Sequence, residues 1–259
     1  MYIYFFEHYQ QVENQNRHGT IHALVRVEEG ETTMIQNLID ILAAPGAAFT
    51  RLREKPSILF PWLLITLSVA SIQAGFFLLV DPAYLVDQLV DQALASNPAA
   101  GENQIRQNMG AVSPTVFAVS STVGSFLVLT VIMAINAVYL NFMSKFGHGE
   151  FSFKAWFSLL AWTSIPTLFV AIAAWVSILT ASNGLISLAS LQPLSLDALL
   201  GLNSNNRMLQ SLSLPQFWSL ALVVMAYQHW TGASMLKSAL ITLAPYLLIY
   251  GIWAAISLT

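Results

Sequence analysis

The sequence FGHGEFSFKAWFSLLAWTSIP, residues 146–166, changes within a few positions from a polar turn to an uncharged helix. Glycines, a histidine, a glutamate and two phenylalanines form its first half, and Lys154 is the last charge before an apolar run begins at Ala155. Charge is costly in hydrocarbon, whereas aromatic and basic side chains are typical of the membrane boundary. The stretch therefore predicts a turn at the membrane surface, here called the elbow, that leads into a spanning helix kinked by Pro166.

The composition of the whole chain supports this interpretation. Of its 259 residues, 56% are hydrophobic and 9% are charged, and the mean hydropathy is +0.63. Because soluble domains carry about a quarter charged residues, this is the composition of an integral membrane protein, with no room for a sizeable soluble catalytic domain. The absence of cysteine excludes disulfides, thiol nucleophiles and cysteine-bound metals.

Four further uncharged stretches accompany the one that follows the elbow. Together they predict an all-α, polytopic membrane protein, a bundle of five transmembrane helices over residues 57–80, 114–142, 155–180, 216–230 and 238–258. Three of these helices contain a proline beyond their first residue, at Pro61, Pro166 and Pro245. Such prolines predict tolerated kinks or, alternatively, the broken helices of a transporter.

The residues before the first span divide into two parts. Residues 1–33 are polar and of mixed charge, and we predict that they are disordered or a non-native extension, with the membrane domain at residues 34–259. From Met34 onward, apolar residues recur at helical spacing until basic residues precede the first span. This pattern predicts an N-terminal amphipathic helix in the cytoplasmic interface, beside anionic headgroups. A short helix packed on the protein itself is the alternative.

The positions of the basic residues predict the orientation. They precede span one, lie in the elbow, and separate spans four and five, whereas the alternating loops are acidic or nearly neutral. By the positive-inside rule, the N-terminus is cytoplasmic and the C-terminus is periplasmic or exterior. The predicted location is therefore a bacterial inner (plasma) membrane, which the chain crosses several times.

Three separated stretches resemble the Yip1 domain family, a group of five-span membrane proteins. Residues 37–61, NLIDILAAPGAAFTRLREKPSILFP, are similar to the family's opening pattern of an apolar turn, a proline, a phenylalanine and a basic residue. The elbow resembles its glycine, aromatic-x-aromatic and serine-proline sequence. Residues 214–237, LPQFWSLALVVMAYQHWTGASMLK, resemble the start of its fourth span and the Thr-Gly turn that closes it.

This resemblance extends over residues 34–259 and implies the fold and topology of the family. Eukaryotic members are associated with vesicle traffic and with small-GTPase partners. The family supplies no catalytic set that the resemblance would transfer to this chain.

The sequence itself predicts no catalytic residue, metal site or cofactor. The predicted spans hold essentially no ionisable side chain, and no zinc-binding helix motif, nucleophile elbow or phosphate loop occurs. We likewise expect no nucleic-acid partner. Candidates for partner contact or for a polar path through the membrane remain, and these are Gly147, His148, Gly149, Glu150, Asn136, Asn141 and Pro166.

Each candidate has two interpretations. The elbow residues predict either a solvated turn whose glycines take unusual backbone angles or a surface that meets a partner. Asn136, Asn141 and Gln73 predict interhelical hydrogen bonds or, alternatively, the lining of a polar path.

The predicted function is that of a non-enzymatic protein that acts through helix–helix, lipid or protein-partner contacts in membrane organisation or in a process similar to trafficking. Its expected partners are membrane lipids and either a membrane protein or further copies of the chain. The alternative is a small transporter or channel that uses the polar residues of span two and the kinked helices.

Overall fold

The computed structural model describes residues 33–97, 99–146, 149–202 and 207–257. The extension predicted at residues 1–33 lies outside them except for its last residue. The described residues form an all-α fold without a β-strand, and their only β-type pairing is an isolated bridge between Ser195 and Ser213.

The α-helices of the described residues are α1 Thr33–Ala43, α2 Pro45–Glu54, α3 Leu59–Leu79, α4 Pro82–Ser96, α5 Glu102–Gly110, α6 Pro114–Ser144, α7 Phe153–Thr163, α8 Leu168–Thr180, α9 Leu196–Leu199, α10 Arg207–Ser211, α11 Leu214–Thr231 and α12 Met235–Ser257. Short 3-10 turns at Ile165–Thr167, Ser182–Gly184 and Leu188–Leu191 connect some of them.

Four helical segments are long and apolar enough to cross a membrane. They are α3, most of α12, α6, and the continuous segment Phe153–Thr180 that α7 and α8 form together. The helix α11, expected as the fourth of five spans, does not qualify, because Gln216, Gln228 and His229 lower the hydropathy of a helix of only 18 residues. By length and composition alone, four spans are therefore identified.

Several helices begin with a polar cap, often followed by proline. Ser113 accepts a hydrogen bond from the backbone N–H of Val116 at the start of α6, and Ser213 does the same for Gln216 at the start of α11. Pro114 directly follows Ser113, and Pro215 lies two positions after Ser213; in the first turn of a helix the missing N–H of proline costs no helical hydrogen bond. Ser152 caps α7 in the same way, which sets the point at which the elbow becomes helix.

Side chains on neighbouring helices connect the bundle through hydrogen bonds. Trp62 Nε1 on α3 donates to Thr130 Oγ1 on α6 at 3.1 Å, and the Tyr139 hydroxyl on α6 donates to the Ile241 carbonyl on α12 at 2.9 Å. Such bonds stabilise helix contacts where no water competes. These hydrogen bonds connect α3, α6 and α12. Among the described residues, no ion pair joins these helices to their neighbours.

The helix that follows the elbow is interrupted at Pro166, as the sequence predicted. Residues Ile165–Thr167 form a 3-10 turn between α7 and α8. The hydroxyls of Thr163 and Ser164 donate to the Leu160 carbonyl at 3.2 and 2.7 Å. Local hydroxyls therefore satisfy backbone oxygen next to the interruption.

The sequence preceding the first span forms two helices, α1 and α2, that differ in how much of their apolar side is buried. The apolar side of α2, with Ala48, Phe49 and Leu52, is at most 1% exposed because it packs on α7 and α11. The alternative of a helix packed on the protein therefore describes α2. In α1 the polar residues Asn37 and Asp40 are buried together with Ile41, which is 0% exposed, whereas Ile35 and Ile39 are 59% and 54% exposed.

Candidate functional site

Four aromatic rings from the elbow, α7 and α11 meet at one end of the bundle and are here called the aromatic cluster. Phe151 stacks on Trp230 with ring centroids 5.3 Å apart, and Trp156 lies between Trp230, at 5.0 Å, and Tyr227, at 5.6 Å. Each such pair contributes about 0.5–1.5 kcal/mol beyond burial. The cluster thus fixes the elbow against the last turns of α11.

The helix α2 closes the cluster from the side of the first family-like stretch. Trp230 Nε1 donates to the Phe49 carbonyl at 2.9 Å, and the Arg53 guanidinium carbon lies 5.3 Å from the centre of the Phe151 ring. A cation above an aromatic face is attracted by the ring quadrupole. All three stretches that resemble the Yip1 domain family therefore meet at this point.

A second contact connects α2 to the end of α11. The Thr50 hydroxyl donates to the Gly46 carbonyl at 3.0 Å and lies 3.0 Å from His229 Nε2. Thr50 and His229 are therefore hydrogen-bonded to each other, and the tautomer of His229 decides which of them donates. His229 therefore has a structural partner at the protein surface.

In the described part of the elbow, two neighbouring side chains point in opposite directions. Glu150 is exposed, whereas Phe151 enters the aromatic cluster. Gly149 does not have a positive φ, so the prediction that it takes an unusual backbone angle is wrong. Its constraint is space, because an added Cβ would lie 2.3 Å from Phe151 Cε2. Gly147 and His148 lie outside the described residues.

Exposed basic side chains surround the aromatic cluster, and this end of the bundle is here called the basic end. Two large apolar rings are exposed among them, Phe146 at 68% and Phe153 at 42%. The acidic neighbours Glu54 and Glu150 only partly offset the positive charge. The exposed basic residues are Arg53, Lys55, Lys145, Lys154 and Lys237.

The polar side of α1 is held by the other arginine of α2. Arg51 Nε donates to Asn37 Oδ1 at 2.8 Å, and a second guanidinium nitrogen forms an ion pair with Asp40. Gln36 Nε2 donates to the same carboxylate at 2.9 Å. The hydrogen bonds of Gln36 and then of Arg51 hold the pKa of Asp40 below its usual value.

The two asparagines of α6 lie in different surroundings. Asn136 lines a cavity between the helices, together with Gln73 of α3, and its Nδ2 donates to the Ile132 carbonyl at 2.9 Å. Asn141 Oδ1 is buried and has no hydrogen-bond partner within the described chain. Five helical positions turn the second asparagine away from the first. The expected interhelical bonds of Asn136 and Asn141 are therefore not formed among these residues.

The interruption at Pro166 belongs to the same cavity as Asn136. Pro166 itself is buried, and its neighbours Thr163, Ser164 and Thr167 line the cavity wall. The structure thus brings Asn136 close to the Pro166 turn but separates both from the elbow glycine and Glu150, which belong to the basic end.

The aromatic cluster was missed at the level of sequence, although its members carried a signal. Phe151 and Phe153 form an aromatic-x-aromatic pair, of which one ring is buried and the other exposed. Trp230 stands two residues before Gly232, which ends α11 with a left-handed φ of 69°. Aromatic residues next to turn glycines indicated that these turns pack against the protein. They did not indicate which turns would contact each other.

Within the described ranges, no group of three His, Asp or Glu side chains is arranged to hold a metal ion. The site consists of stacked rings, a cation above one of them, and an exposed basic rim. Such an arrangement is suited to contacts with a partner or with lipid headgroups.

A comparison with curated proteins and a comparison with solved structures each returned no significant match. A family model described as the Yip1 domain matches residues 39–256. The match includes α2, the elbow and the end of α11, which together build the aromatic cluster. The chain is therefore an integral membrane protein that belongs to the Yip1 domain family.

Proposed function

We propose that this protein crosses a bacterial inner membrane five times with its basic end in the cytoplasm, and that it acts there without catalysis, as a scaffold. The observation that carries the proposal is the convergence of α2, the elbow and the end of α11 on one aromatic cluster with a basic rim. A partner or a lipid surface would meet this end as a single, pre-arranged surface.

The fifth crossing is α11. Its 18 residues extend for about 27 Å, close to the roughly 30 Å of a hydrocarbon core. It starts near the segment that follows α8 and ends beside Phe49 of α2, so it runs from one end of the bundle to the other. Half of its residues are buried, which explains why a helix with polar ends can cross without a strongly apolar sequence.

Charge supports the orientation. The basic end carries six lysines and arginines when Arg51 is included, whereas α4 and α5 at the opposite end carry acidic residues around Arg106. That arginine is paired with Asp87 and Glu102, so little free positive charge remains there. The positive-inside rule then favours a cytoplasmic basic end.

The helix α1 supports contact with lipid. Because Asn37 and Asp40 face the protein and bind Arg51, the exposed Ile35 and Ile39 point away from it. Although Ile41 is buried in the core, a helix that presents two exposed isoleucines with basic residues nearby suits the boundary of an anionic membrane. The interfacial role predicted for the N-terminal segment is therefore assigned to α1 rather than to α2.

The absence of cysteine provides a direct test of orientation. Lys154→Cys and Gln107→Cys each introduce one thiol at an exposed position, at the basic end and on α5 respectively. In intact spheroplasts a membrane-impermeant maleimide should label Gln107→Cys alone, and in inverted vesicles it should label Lys154→Cys alone. The reverse pattern contradicts the orientation, and labelling of both from one side contradicts the separation of the two ends.

Photocrosslinking tests the scaffold role. A photoreactive amino acid at Phe153 samples the basic end, and the same residue at Leu248, 64% exposed on α12, samples the lipid-facing side. We expect a recurring protein adduct at Phe153 that weakens when Lys145 and Lys154 are both changed to Gln. Identical adducts at the two positions, or no effect of the lysine changes, contradict a role for this surface.

A flux assay separates the scaffold from a transporter. The purified protein in proteoliposomes should show no saturable solute flux, and Asn136→Ala should leave the background unchanged. Saturable flux that is lost in Asn136→Ala would replace the scaffold with transport.

A further inference from the structure

The cavity beside Asn136 has the features of a binding site in the middle of the bundle. Its volume is about 520 Å³, within the range of small-molecule sites. α3, α6, α7, α8 and α11 all contribute to its wall, and the turn Leu188–Leu191 with Ser211 and Ser213 lies at the end opposite the basic rim. From this cavity and its neighbour we infer a site for an uncharged lipid, with a hydrogen-bonding head in the cavity and its hydrocarbon in the adjoining groove.

Polar side chains of the cavity wall have unused hydrogen-bonding capacity. The side-chain amide of Gln73 and the hydroxyl of Tyr246, both half-buried, line it without a hydrogen bond to any described residue, and Gln192 lines it at an exposed position. In hydrocarbon an unsatisfied polar group costs several kcal/mol, so a structure retains it where a ligand or water completes it. Donors and acceptors are therefore present for a hydroxyl, ester or amide head.

The same wall excludes a charged head. Its described polar members are amides, hydroxyls and a phenol, and none of its described side chains is acidic or basic. An ion inside a low-dielectric site needs an opposite charge to offset its lost hydration. The cavity offers none, so a phosphate or ammonium group would be disfavoured relative to an uncharged head.

A second cavity supplies the place for hydrocarbon. It also measures about 520 Å³, lies between α11 and α12, and is lined by apolar residues such as Phe217, Val224 and Leu247. Leu220 and Tyr246 line both cavities. The polar cavity and the apolar groove are thus adjacent across two side chains, which matches a molecule with one polar and one hydrocarbon part.

The experiment uses the full-length protein in phosphatidylcholine vesicles that contain dioleoylglycerol with a diazirine in one acyl chain. After illumination, we expect saturable labelling of α11 and α12 residues at the groove. Unlabelled dioleoylglycerol should compete, whereas free glycerol should not. A phosphatidic acid probe with the same chains should label these residues less.

Substitutions test the head contacts separately from the groove. Gln73→Leu and Tyr246→Phe should each weaken labelling about fivefold, the effect of one lost hydrogen bond. Gln107→Leu and Tyr84→Phe are matched changes outside both cavities and should not weaken it. Leu220→Trp fills the boundary between the cavities and should abolish labelling with every polar group intact.

Several outcomes overturn the inference. Equal labelling by phosphatidic acid removes the argument from charge, and full competition by glycerol indicates a water-soluble solute. Unsaturable labelling indicates a cavity filled by water, and crosslinks between two copies at the groove indicate a protein contact. Thermal unfolding of each variant in detergent, monitored by tryptophan fluorescence, distinguishes lost binding from lost folding. Because the basic end is not involved, failure here leaves the scaffold proposal untouched.

Discussion

Trp230 Nε1 donates a hydrogen bond of 2.9 Å to the Phe49 carbonyl, across 181 positions of sequence. The bond joins the last turn of α11 to a helix that precedes every span. The Trp230 ring also stacks on Phe151, so one side chain holds together α2, the elbow and α11.

Trp230→Phe removes this bond while keeping an aromatic ring in the cluster. We expect a loss of about 1 kcal/mol in the free energy of unfolding, the usual net contribution of a buried hydrogen bond, and a lower melting temperature in detergent. Trp218→Phe is the control, because Trp218 lies 40% exposed on the outer side of the same helix. Equal melting temperatures for the two variants would show that the bond to Phe49 is not significant.

Gly149→Ala tests the space that the elbow leaves for Phe151. The added Cβ would lie 2.3 Å from the ring, so the ring must move against Trp230 and Trp156. We expect a destabilisation of about 1–3 kcal/mol and weaker crosslinking at the basic end. Gly124→Ala meets nothing within 4 Å and should leave both readouts unchanged. If Gly149→Ala behaves like this control, the elbow accommodates the methyl group without involving the cluster.

Gly184→Ala tests the junction that follows α8. Gly184 has a φ of +70°, and an added Cβ would lie 2.8 Å from the backbone nitrogen of Asp81, to which the Gly184 carbonyl is already hydrogen-bonded. Gly201 has a similar φ of +61° with open space around it. Left-handed strain of about 1–2 kcal/mol is common to both alanine variants, so Gly184→Ala should melt lower than Gly201→Ala by the cost of the backbone collision. Equal melting temperatures would mean that the backbone at this junction shifts to accommodate the added Cβ at no measurable cost.

The pair of Asp40 and Arg51 predicts a pH dependence. The pKa of Asp40 in the folded protein lies below the ordinary 3.8, so its contribution to stability is complete above that value and is lost as the pH falls through the lowered pKa. Asp40→Asn should therefore melt below the wild type at neutral pH, and the difference should shrink as the pH falls below about 4. Asp91→Asn, at an exposed position of α4, is the control. If the difference in melting temperature between the wild type and Asp40→Asn does not change with pH, ionisation of the Asp40 carboxylate does not cause that difference.

Elements with local signals were predictable from the sequence. The uncharged runs predicted α3, α6 and α12 because hydrocarbon selects composition directly. The interruption at Pro166 followed from a missing backbone N–H, and the turn at Gly232 from the backbone freedom of glycine.

The remaining features depend on which segments become neighbours. Periodicity identified an apolar side in the N-terminal segment, but it could not indicate that α2 would bury this side on α11 while α1 turned Ile35 outward. The span predicted at residues 216–230 followed from an uncharged stretch, but polar residues at both ends of α11 weaken its signal. Asn136 was a candidate from its type alone, and its place in a cavity arises from the arrangement of the other helices around it.

The bond from Trp230 to Phe49 also constrains the order in which the protein is made. Phe49 and Arg53 leave the ribosome before the first span, but their partner on α11 is translated only after most of the chain. Until then, of the two helices on which α2 packs, only α7 is available to cover its buried side. Completion of the aromatic cluster thus requires that the chain has been made as far as Trp230, so a partner that recognises this end would ignore chains that stop before α11.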